Sequence, residues 1–450
     1  MRFEKQNASW YKLVKGPYLT KEAKLMNNVE KKQLAYGDVL VVGIDIAKKV
    51  HWARVLGPMG VDVIMPFKFH NTREGFIRLE SKINEARNKA GIQRVIVGME
   101  PTGHYWKPLA YYLKEREYSV VIVNPHHVKK SKELVDNSQT KSDRKDAGII
   151  ADLVKSGRFL SCLLPTGIYA ELRNLSTVRI QARKLFNGAL TQLQAILDEF
   201  FPEYTQVFKN VLGKASTWVL RHYPFPKNIL SLTEKELTIK LKQASNNRVG
   251  LKRAKQLQNV AKESIGIKEG LEGAHLKLMT IMDRLEYAAS EISKIEAALE
   301  RTLEKTGLAE YLLSIPGIGV ITAAWLLAEV GDLSKFDDWR QIRKLAGLNL
   351  VENSSGMRIG SKKISKRGRP GLRSVLYLAS LVLVAKNAEF KALYNYFKTR
   401  AENPLKKKQA LIAISMKLIR VIFALVKNRT LYDPAKVFGE YRAAQLQQAA

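Results

Sequence analysis

Cysteine is almost absent from this chain. The 450 residues include a single cysteine, Cys162. One thiol excludes an intramolecular disulfide and any zinc site built from several cysteines. Its apolar neighbours Leu163 and Leu164 favour a core cysteine over a reactive nucleophile. The cysteine count therefore predicts a protein of a reducing, cytoplasmic compartment.

Long apolar runs and a secretion signal are also lacking. The best candidate for a membrane span, residues 410–426, is interrupted by Lys417 and Arg420. The first residues, Met1 to Lys5, do not lead into an apolar core with a small-residue cleavage site. We therefore expect neither a membrane partner nor secretion.

Acidic residues are scarce relative to basic ones. The chain has 75 Lys and Arg against 42 Asp and Glu, a formal net charge of +33. Its hydrophobic content of 46% is that of a folded globular protein. So large a positive surplus requires a polyanionic partner, and nucleic acid is the foremost candidate.

Two of the few acids stand where a carboxylate is costly. Asp45 lies within residues 39–46, a β-branched run typical of a buried strand, and Glu100 ends a second such run directly before Pro101. An unpaired charge in such a strand costs several kcal/mol or shifts its pKa until it is neutral. These positions therefore indicate that the two carboxylates have a functional role.

Two further acids, Asp143 and Asp146, open an apolar helical stretch. Their spacing of three places both on one face of a helix. Carboxylates that gather repel one another unless a cation lies between them, and hard oxygen ligands suit Mg²⁺ or Mn²⁺. The residues therefore predict that Asp45, Glu100, Asp143 and Asp146 form a metal site for phosphodiester chemistry.

The order of elements in residues 38–165 predicts an α/β domain. Three strands followed by alternating helices and strands match the ribonuclease H fold, in which acids gather on the first strand, the fourth strand and the last helix. The predicted strands are 39–46, 50–56, 61–67, 94–99 and 119–123, and the predicted helices are 73–89, 106–115 and one from about 143.

The middle of the chain is predicted to be helical. Apolar residues recur at spacings of three and four from Leu278 to Leu299, and an upstream seam runs through Leu175, Val178, Ala182, Leu185 and Ala189. We expect an antiparallel coiled-coil arm, with an ordinary helical bundle as the alternative. Either offers a surface for a homo-oligomer, a dimer or a tetramer.

The whole chain is predicted to divide into five segments. Residues 1–37 form a basic extension, which is either flexible or an arm along nucleic acid. The other four are the α/β domain, 38–165, the helical middle, 166–308, the C-terminal domain, 309–400, and a helical tail, 401–450.

The predicted C-terminal domain is mainly α and contains two candidate nucleic-acid contacts. Pro316-Gly317-Ile318-Gly319 between two helices is typical of a helix-hairpin-helix, whose backbone amides at Gly317 and Gly319 can hold a DNA phosphate; a plain helical hairpin is the alternative. Small residues in the loops beyond it let a backbone approach a ligand, and basic side chains suit phosphates. The candidates there are Lys366, Arg367, Arg369 and Arg373.

Taken together, these motifs resemble the DEDD-type insertion-sequence transposases of insertion-sequence family one-hundred-ten. Those proteins join a RuvC-like domain to a C-terminal transposase domain through a coiled coil. The chain departs from the family pattern at Leu350, where proline is usual, and residues 1–37 and 401–450 match no part of it. The matching stretches are Gly43-Ile44-Asp45, Glu100-Pro101-Thr102-Gly103, Asn124-Pro125, residues 141–147, Pro316-Gly317-Ile318-Gly319, Ser354-Ser355-Gly356 and residues 364–368.

The resemblance implies a bacterial or archaeal, nucleoid-associated recombinase that cuts and rejoins DNA. Asp45, Glu100, Asp143 and Asp146 match the metal-site positions, and Ser355 matches the nucleophilic serine, which forms a covalent phosphoserine. It also implies a structured noncoding "bridge" RNA that pairs with target and donor DNA.

Activation of Ser355 needs a base or a metal, because a serine hydroxyl is a poor nucleophile. The downstream loops contain no His. We therefore expect the acidic metal cluster, from the same or a neighbouring protomer, to activate the serine, with Lys366, Arg367 and Arg373 clamping the phosphate. The adjacent Ser354 is expected to cap a turn.

Three other functions fit the same residues. A Holliday-junction-resolving metal nuclease would use only the acids, and a related DNA invertase would differ in its substrate DNA. In a non-enzymatic scaffold, Arg144 and Lys145 would neutralise Asp143 and Asp146. His104, His126 and His127 lie near the acidic motifs, but we do not expect them to bind a metal, because no cysteine or further histidine is close by.

Overall fold

The computed structural model describes Met26 and residues 28–135, 143–352, 360 and 362–438. The chain forms two compact units, one of Met1–Thr166 with Asp332–Gly368 and the other of Gly167–Gly331 with Arg369–Ala450. These units divide the chain differently from the five predicted segments, because residues 332–368 group with the N-terminal part.

The first unit is built on a six-stranded sheet with the strand order β3-β2-β1-β4-β5-β6. β1 pairs antiparallel with β2, and β2 with β3, whereas β4 and β5 run parallel to β1. The mixed α/β domain that the sequence predicted is thus confirmed. The strands are β1 Leu40–Asp45, β2 Val50–Leu56, β3 Phe67–His70, β4 Val95–Met99, β5 Ser119–Ile122 and β6 Leu160–Ser161.

The prediction of a strand over residues 61–67 was wrong, since β3 starts only at Phe67. Pro66 has no N–H to donate to a ladder. Asp62 is instead held by an ion pair with Arg54, whose Nε lies 2.7 Å from its Oδ1. The segment therefore leads into the strand and is not the strand itself.

Helices cover both faces of this sheet. Leu40, Val42 and Ile44 pack on the side of α2 and α3, whereas Val41 packs on the side of α5. This alternation follows from the period of two in a β-strand and explains why nearly every β1 residue is buried. The helices are α1 Asn28–Ala35, α2 Arg73–Ala90, α3 Trp106–Glu115, α4 Pro125–Val135 and α5 Asp143–Lys155.

Two long helices dominate the second unit, α6 (Gly167–Phe200) and α12 (Leu271–Glu304). They run antiparallel, because Arg179 pairs with Glu296 while Glu199, near the other end of α6, pairs with Lys277. Short helices lie between them in the chain and share a core with them. These are α7 Tyr204–Val207, α8 Lys214–His222, α9 Pro226–Leu230, α10 Glu234–Ala244 and α11 Leu251–Lys262.

The two predicted heptad seams differ in burial. The seven apolar positions of the downstream seam are all buried on α12: Leu278, Ile281, Leu285, Ala288, Ile292, Ile295 and Leu299. The upstream prediction was wrong at Val178 and Leu185, which are 46% and 69% exposed. A helix of 3.6 residues per turn drifts from a strict seven-residue repeat, so α6 buries other positions, such as Leu172 and Leu193.

Further elements follow in the described part of the chain. The helix Lys407–Asn428 (α18) is long and apolar enough to cross a membrane by length and composition alone, but 56% of its most apolar window is buried inside the fold. There it packs on the helix Pro370–Lys386 (α16), and the hydroxyls of Ser415 and Ser380 lie 2.8 Å apart. These elements are α13 Ala309–Leu313, α14 Val320–Val330, a 3₁₀ turn Leu333–Lys335, α15 Trp339–Leu345, β7 Leu350–Val351, β8 Lys363–Ile364, α16 Pro370–Lys386, α17 Ala388–Thr399, α18 Lys407–Asn428 and α19 Pro434–Val437.

Candidate active site

Asp45 and Glu100 lie side by side at the carboxyl ends of two neighbouring strands. β1 and β4 are parallel, and their register pairs Ile44 with Met99. Asp45 and Glu100 are the next residues along each chain. The carboxyl edge of parallel strands is where α/β sheets usually hold their ligands.

Glycines bring α5 close enough to add its carboxylates to this pair. A Cβ atom placed on Gly43 would lie 2.2 Å from the backbone oxygen of Ala147 and 2.4 Å from the amide nitrogen of Ala151. On Gly98 it would lie 2.3 Å from Val154 Cγ2. Only glycine therefore lets α5 lie directly on β1 and β4. The first turn of α5 carries Asp143 and Asp146.

The charge of Asp45 interacts electrostatically with the other three carboxylates. Burial, together with the negative charges of Asp146, Asp143 and Glu100, raises the pKa of Asp45 to about 7. Burial also raises the pKa of Glu100, against the opposing effects of a hydrogen bond from Thr102 and the charge of Lys132. The structure therefore places Asp146, Asp143 and Glu100 within electrostatic range of Asp45.

Sequence reasoning missed Lys132. This residue lies on α4, and its Nζ is 2.5 Å from Asp146 Oδ2. Its charge lowers the pKa values of Asp45 and Glu100. No motif signals this contact, because it joins residues on two different helices, fourteen positions apart in the chain. The scaffold interpretation assigns the neutralising role to Arg144 and Lys145; the structure adds Lys132 as a partner of Asp146.

The donor set suits a hard divalent cation, since it is made of carboxylate oxygens whose mutual repulsion a cation would relieve. Within the described residues, however, no three His, Cys, Asp or Glu side chains are close enough to hold a metal ion. The metal ligands therefore stay a prediction. His126 and His127 belong to no such group; the His126 amide donates to Asn124 Oδ1 at 2.9 Å.

Lys366 and Arg367 belong to the same unit as the acids. They follow β8, where the Ser365 amide donates to the Asn349 carbonyl at 2.8 Å and the Lys366 amide to the Gly347 carbonyl at 3.0 Å. His127 has its pKa lowered by burial and then by the charge of Arg367. Ser354 and Ser355 fall between β7 and β8 in the chain, outside the described residues.

The other predicted nucleic-acid contacts lie in the second unit. Gly317 has φ +101° in the turn between α13 and α14, a conformation that favours glycine, and Gly319 caps α14. The guanidinium of Arg369 donates to the carbonyl oxygen of Glu329, and Arg373 lies in the first turn of α16. A nucleic-acid role for these residues stays a prediction.

A mixed α/β domain with clustered carboxylates, in a strongly basic chain, is the arrangement of an enzyme that processes nucleic acid. Residues 42–202 match the transposase family described as DEDD_Tnp_IS110, and residues 309–395 match the family described as Transposase IS116/IS110/IS902. The chain belongs to the IS110 family of transposases, enzymes that cleave and rejoin DNA strands.

Individual relatives agree with this assignment. The Insertion element IS110 uncharacterized 43.6 kDa protein of Streptomyces coelicolor is 24% identical over 406 residues, which cover 90% of this chain and 98% of the relative. The Pilin gene-inverting protein of Moraxella bovis is 24% identical over 397 residues, covering 87% of this chain and 97% of the relative. A transposase for insertion sequence element IS1328 of Yersinia enterocolitica is 33% identical over 113 residues, covering 24% and 34%.

Proposed function

We propose that this transposase moves an insertion sequence with a metal site formed by Asp45, Glu100, Asp143 and Asp146 and with Ser355 as nucleophile. The observation that carries the proposal is the pKa of Asp45, raised to about 7 by burial and by the other three carboxylates. A protein keeps such repulsion between partly buried carboxylates mainly where function requires it.

In this proposal the Ser355 hydroxyl attacks a DNA phosphorus. A Ser Oγ–phosphorus bond forms, the bond to the leaving deoxyribose oxygen breaks, and the serine proton passes to the medium while the leaving oxygen takes one up. A second DNA hydroxyl then displaces the serine and reseals the strand. Mg²⁺ or Mn²⁺ would supply charge stabilisation for the phosphoryl group. The four carboxylates would hold this ion.

The position of Ser355 in the chain supports this role. β7 and β8, which flank it, belong to the unit that contains the carboxylates. Lys366 and Arg367 come shortly after β8 and add positive charge to this unit, where the charge of Arg367 acts on His127. Basic side chains of this kind orient a phosphodiester without reading its sequence.

The finer features of the fold belong to the same proposal. The strand order, with three antiparallel strands followed by parallel ones, supports a RuvC-like, ribonuclease H type of domain. The Gly317 turn between α13 and α14 supports a helix-hairpin-helix. Exposed Val178 and Leu185 on α6 support a homo-oligomer, a dimer or a tetramer, in which these side chains are covered.

We further propose that a structured noncoding guide RNA encoded by the element directs the enzyme to target and donor DNA. The net charge of +33 suits an assembly of RNA and two duplexes, since each phosphate contact requires a cationic partner. Purification after RNase treatment tests this idea. If recombination persists with no RNA left in the preparation, guidance by RNA is excluded.

Site-specific inversion is a second candidate function. The Pilin gene-inverting protein of Moraxella bovis aligns with 87% of this chain. Plasmids with the same recombination sites in direct or inverted orientation separate the two activities. Excision and insertion at unrelated targets support transposition, whereas inversion alone supports an invertase.

The decisive experiment traps the covalent intermediate on a nicked suicide DNA substrate and maps the adduct by peptide mass spectrometry. We expect an adduct on Ser355 that is lost in Ser355→Ala and retained in the matched control Ser354→Ala. Asp45→Asn should lose the adduct while still binding DNA. Full cleavage by Ser355→Ala would instead support a resolvase-like metal nuclease with water as nucleophile.

A further inference from the structure

The long helix α6 forms one wall of an open groove of about 580 Å³ in the second unit. Arg179, Arg183, Lys184, Asn187 and Gly188 line it from successive turns of α6, and Trp325 of α14 lines the other side. None of these residues takes part in the acidic site or in the predicted nucleic-acid contacts. The groove is therefore a separate feature that requires its own explanation.

The net charge of this groove is positive. Between Glu171 and Asp198, α6 has no acidic residue. Glu296 of α12 pairs with Arg179 at 2.7 Å and with Arg183 at 3.6 Å, so one carboxylate is shared by two guanidinium groups. Lys184 is exposed and forms no ion pair among the described residues. A net positive charge remains for an anionic ligand.

Gly188 indicates that the anionic ligand comes close to the backbone of α6 at this residue. It lies in the interior of a 34-residue helix, where glycine is unfavourable relative to alanine. A Cβ atom placed on it would meet no atom within 4 Å, so packing inside this chain does not require glycine there. A bare helix backbone in a basic groove leaves room for a ligand backbone to lie against it.

Trp325 adds a polar group without a partner. Its indole Nε1 is buried and has no hydrogen-bond partner among the described residues. Buried indole N–H groups usually donate to an acceptor. An oxygen-rich ligand in the groove would supply one once the indole turns to expose this nitrogen, so the inference rests chiefly on the basic side chains and on Gly188.

We propose that this groove binds the phosphodiester backbone of a nucleic-acid strand, with Lys184 and the two arginines on phosphates and Gly188 as the point of closest approach. The inference rests on the proposed function only in that the enzyme handles nucleic acid. It adds a binding site on the helical arm, distinct from the place where strands are cut. DNA and RNA share this backbone, so the experiment uses both.

The test measures binding of the full-length protein to labelled single-stranded RNA, single-stranded DNA and duplex DNA of one sequence across a range of salt concentrations. Lys184→Gln should weaken binding roughly threefold to tenfold and reduce the slope of log Kobs against log salt by about 1. Lys252→Gln, an exposed lysine on α11, is the matched control and should change neither. The probe with the largest change identifies the strand that the groove holds.

Gly188→Gln separates binding from folding. It fills the groove at Gly188 and should raise the melting temperature, because glutamine favours helix, while weakening binding about tenfold. Gly273→Gln is its control, since Gly273 also meets no atom within 4 Å and lies on α12. Unchanged binding and salt slope in both groove variants would overturn the inference. So would a changed oligomeric mass with unchanged binding, which would assign the groove to a second copy of the chain.

Failure of this inference can be told from failure of the proposed function. Adduct formation on Ser355 is measured with the wild-type protein, and the salt dependence of binding is measured with the groove variants. Wild-type adduct formation with no groove effect rejects the groove alone. A groove effect without any adduct rejects the serine mechanism alone.

Discussion

Lys132 donates from its ammonium group to Asp146 across 2.5 Å, from α4 to the first turn of α5. The side chain of Asp146 is only 13% exposed, and this contact offsets part of the repulsion between Asp146 and Asp45. A lysine in this position opposes the build-up of negative charge that a divalent cation would also oppose. Lys132 and the proposed metal ion therefore compete for the same carboxylates.

Lys132→Met should tighten binding of Mg²⁺ or Mn²⁺ severalfold, because it removes the competing positive charge and keeps the length of the side chain. Titration calorimetry with MnCl₂ measures the effect. Lys129→Met, an exposed lysine on the same helix, is the control and should leave the affinity near that of the wild type. Weaker metal binding by Lys132→Met would show that the lysine organises the site instead of competing for it.

Asp45→Asn should stabilise the metal-free protein at alkaline pH. The pKa of Asp45 in the folded state, about 7, lies above its unfolded value of 3.8. The ionised carboxylate therefore destabilises the fold. This penalty is absent below about pH 4, grows as the pH rises, and is complete above pH 7. Three pKa units correspond to about 4 kcal/mol, and we expect about 2 kcal/mol because solvent screens this partly exposed group.

Urea unfolding without metal at pH 5 and pH 8 tests whether the stabilisation by Asp45→Asn increases with pH. The advantage of Asp45→Asn over the wild type should be larger at pH 8, and added Mg²⁺ should reduce it by stabilising only the wild type. Asp198→Asn, an exposed change on α6, should show no such dependence. A greater advantage at pH 5 would contradict the assignment.

Gly43→Ala should destabilise the first unit by about 2–3 kcal/mol. The added methyl group would lie 2.2 Å from the Ala147 carbonyl oxygen, and backbone atoms cannot move aside as a flexible side chain can. Because α5 would be lifted from β1, activity should fall even where the fold survives. Urea unfolding and the adduct assay measure both effects, and Gly273→Ala, which meets open space, should be neutral or stabilising.

The acidic site could be predicted because its signal is local. Asp45 and Glu100 interrupt runs of β-branched residues, and a charge there is costly whatever the rest of the chain does. The spacing of Asp143 and Asp146 likewise needs only the period of a helix. Each of these inferences uses a few neighbouring residues, and in the structure the other three acids act electrostatically on Asp45.

Features set by tertiary packing could not be predicted in this way. The Lys132–Asp146 contact depends on how α4 meets α5, and no spacing in the sequence encodes it. The ion pair between Arg54 and Asp62, which lies in the segment before β3, is another contact that no local pattern indicates. On α6 the heptad pattern matched several apolar residues, but the face that packs is selected by α12 and α14, not by α6 alone.

The two helical seams differ in how far their leucines are buried. Leu285 of α12 is 3% exposed, whereas Leu185 of α6 is 69% exposed. Leu285→Ala should cost about 2–4 kcal/mol, since it leaves a cavity in the shared core. Leu185→Ala should change the free energy of unfolding of the dissociated chain by less than about 0.5 kcal/mol. Urea unfolding at low protein concentration measures both, and sedimentation analysis measures association. If Leu185→Ala instead destabilises the isolated chain as strongly as Leu285→Ala, the side chain is buried within the protomer and the predicted upstream seam is correct after all.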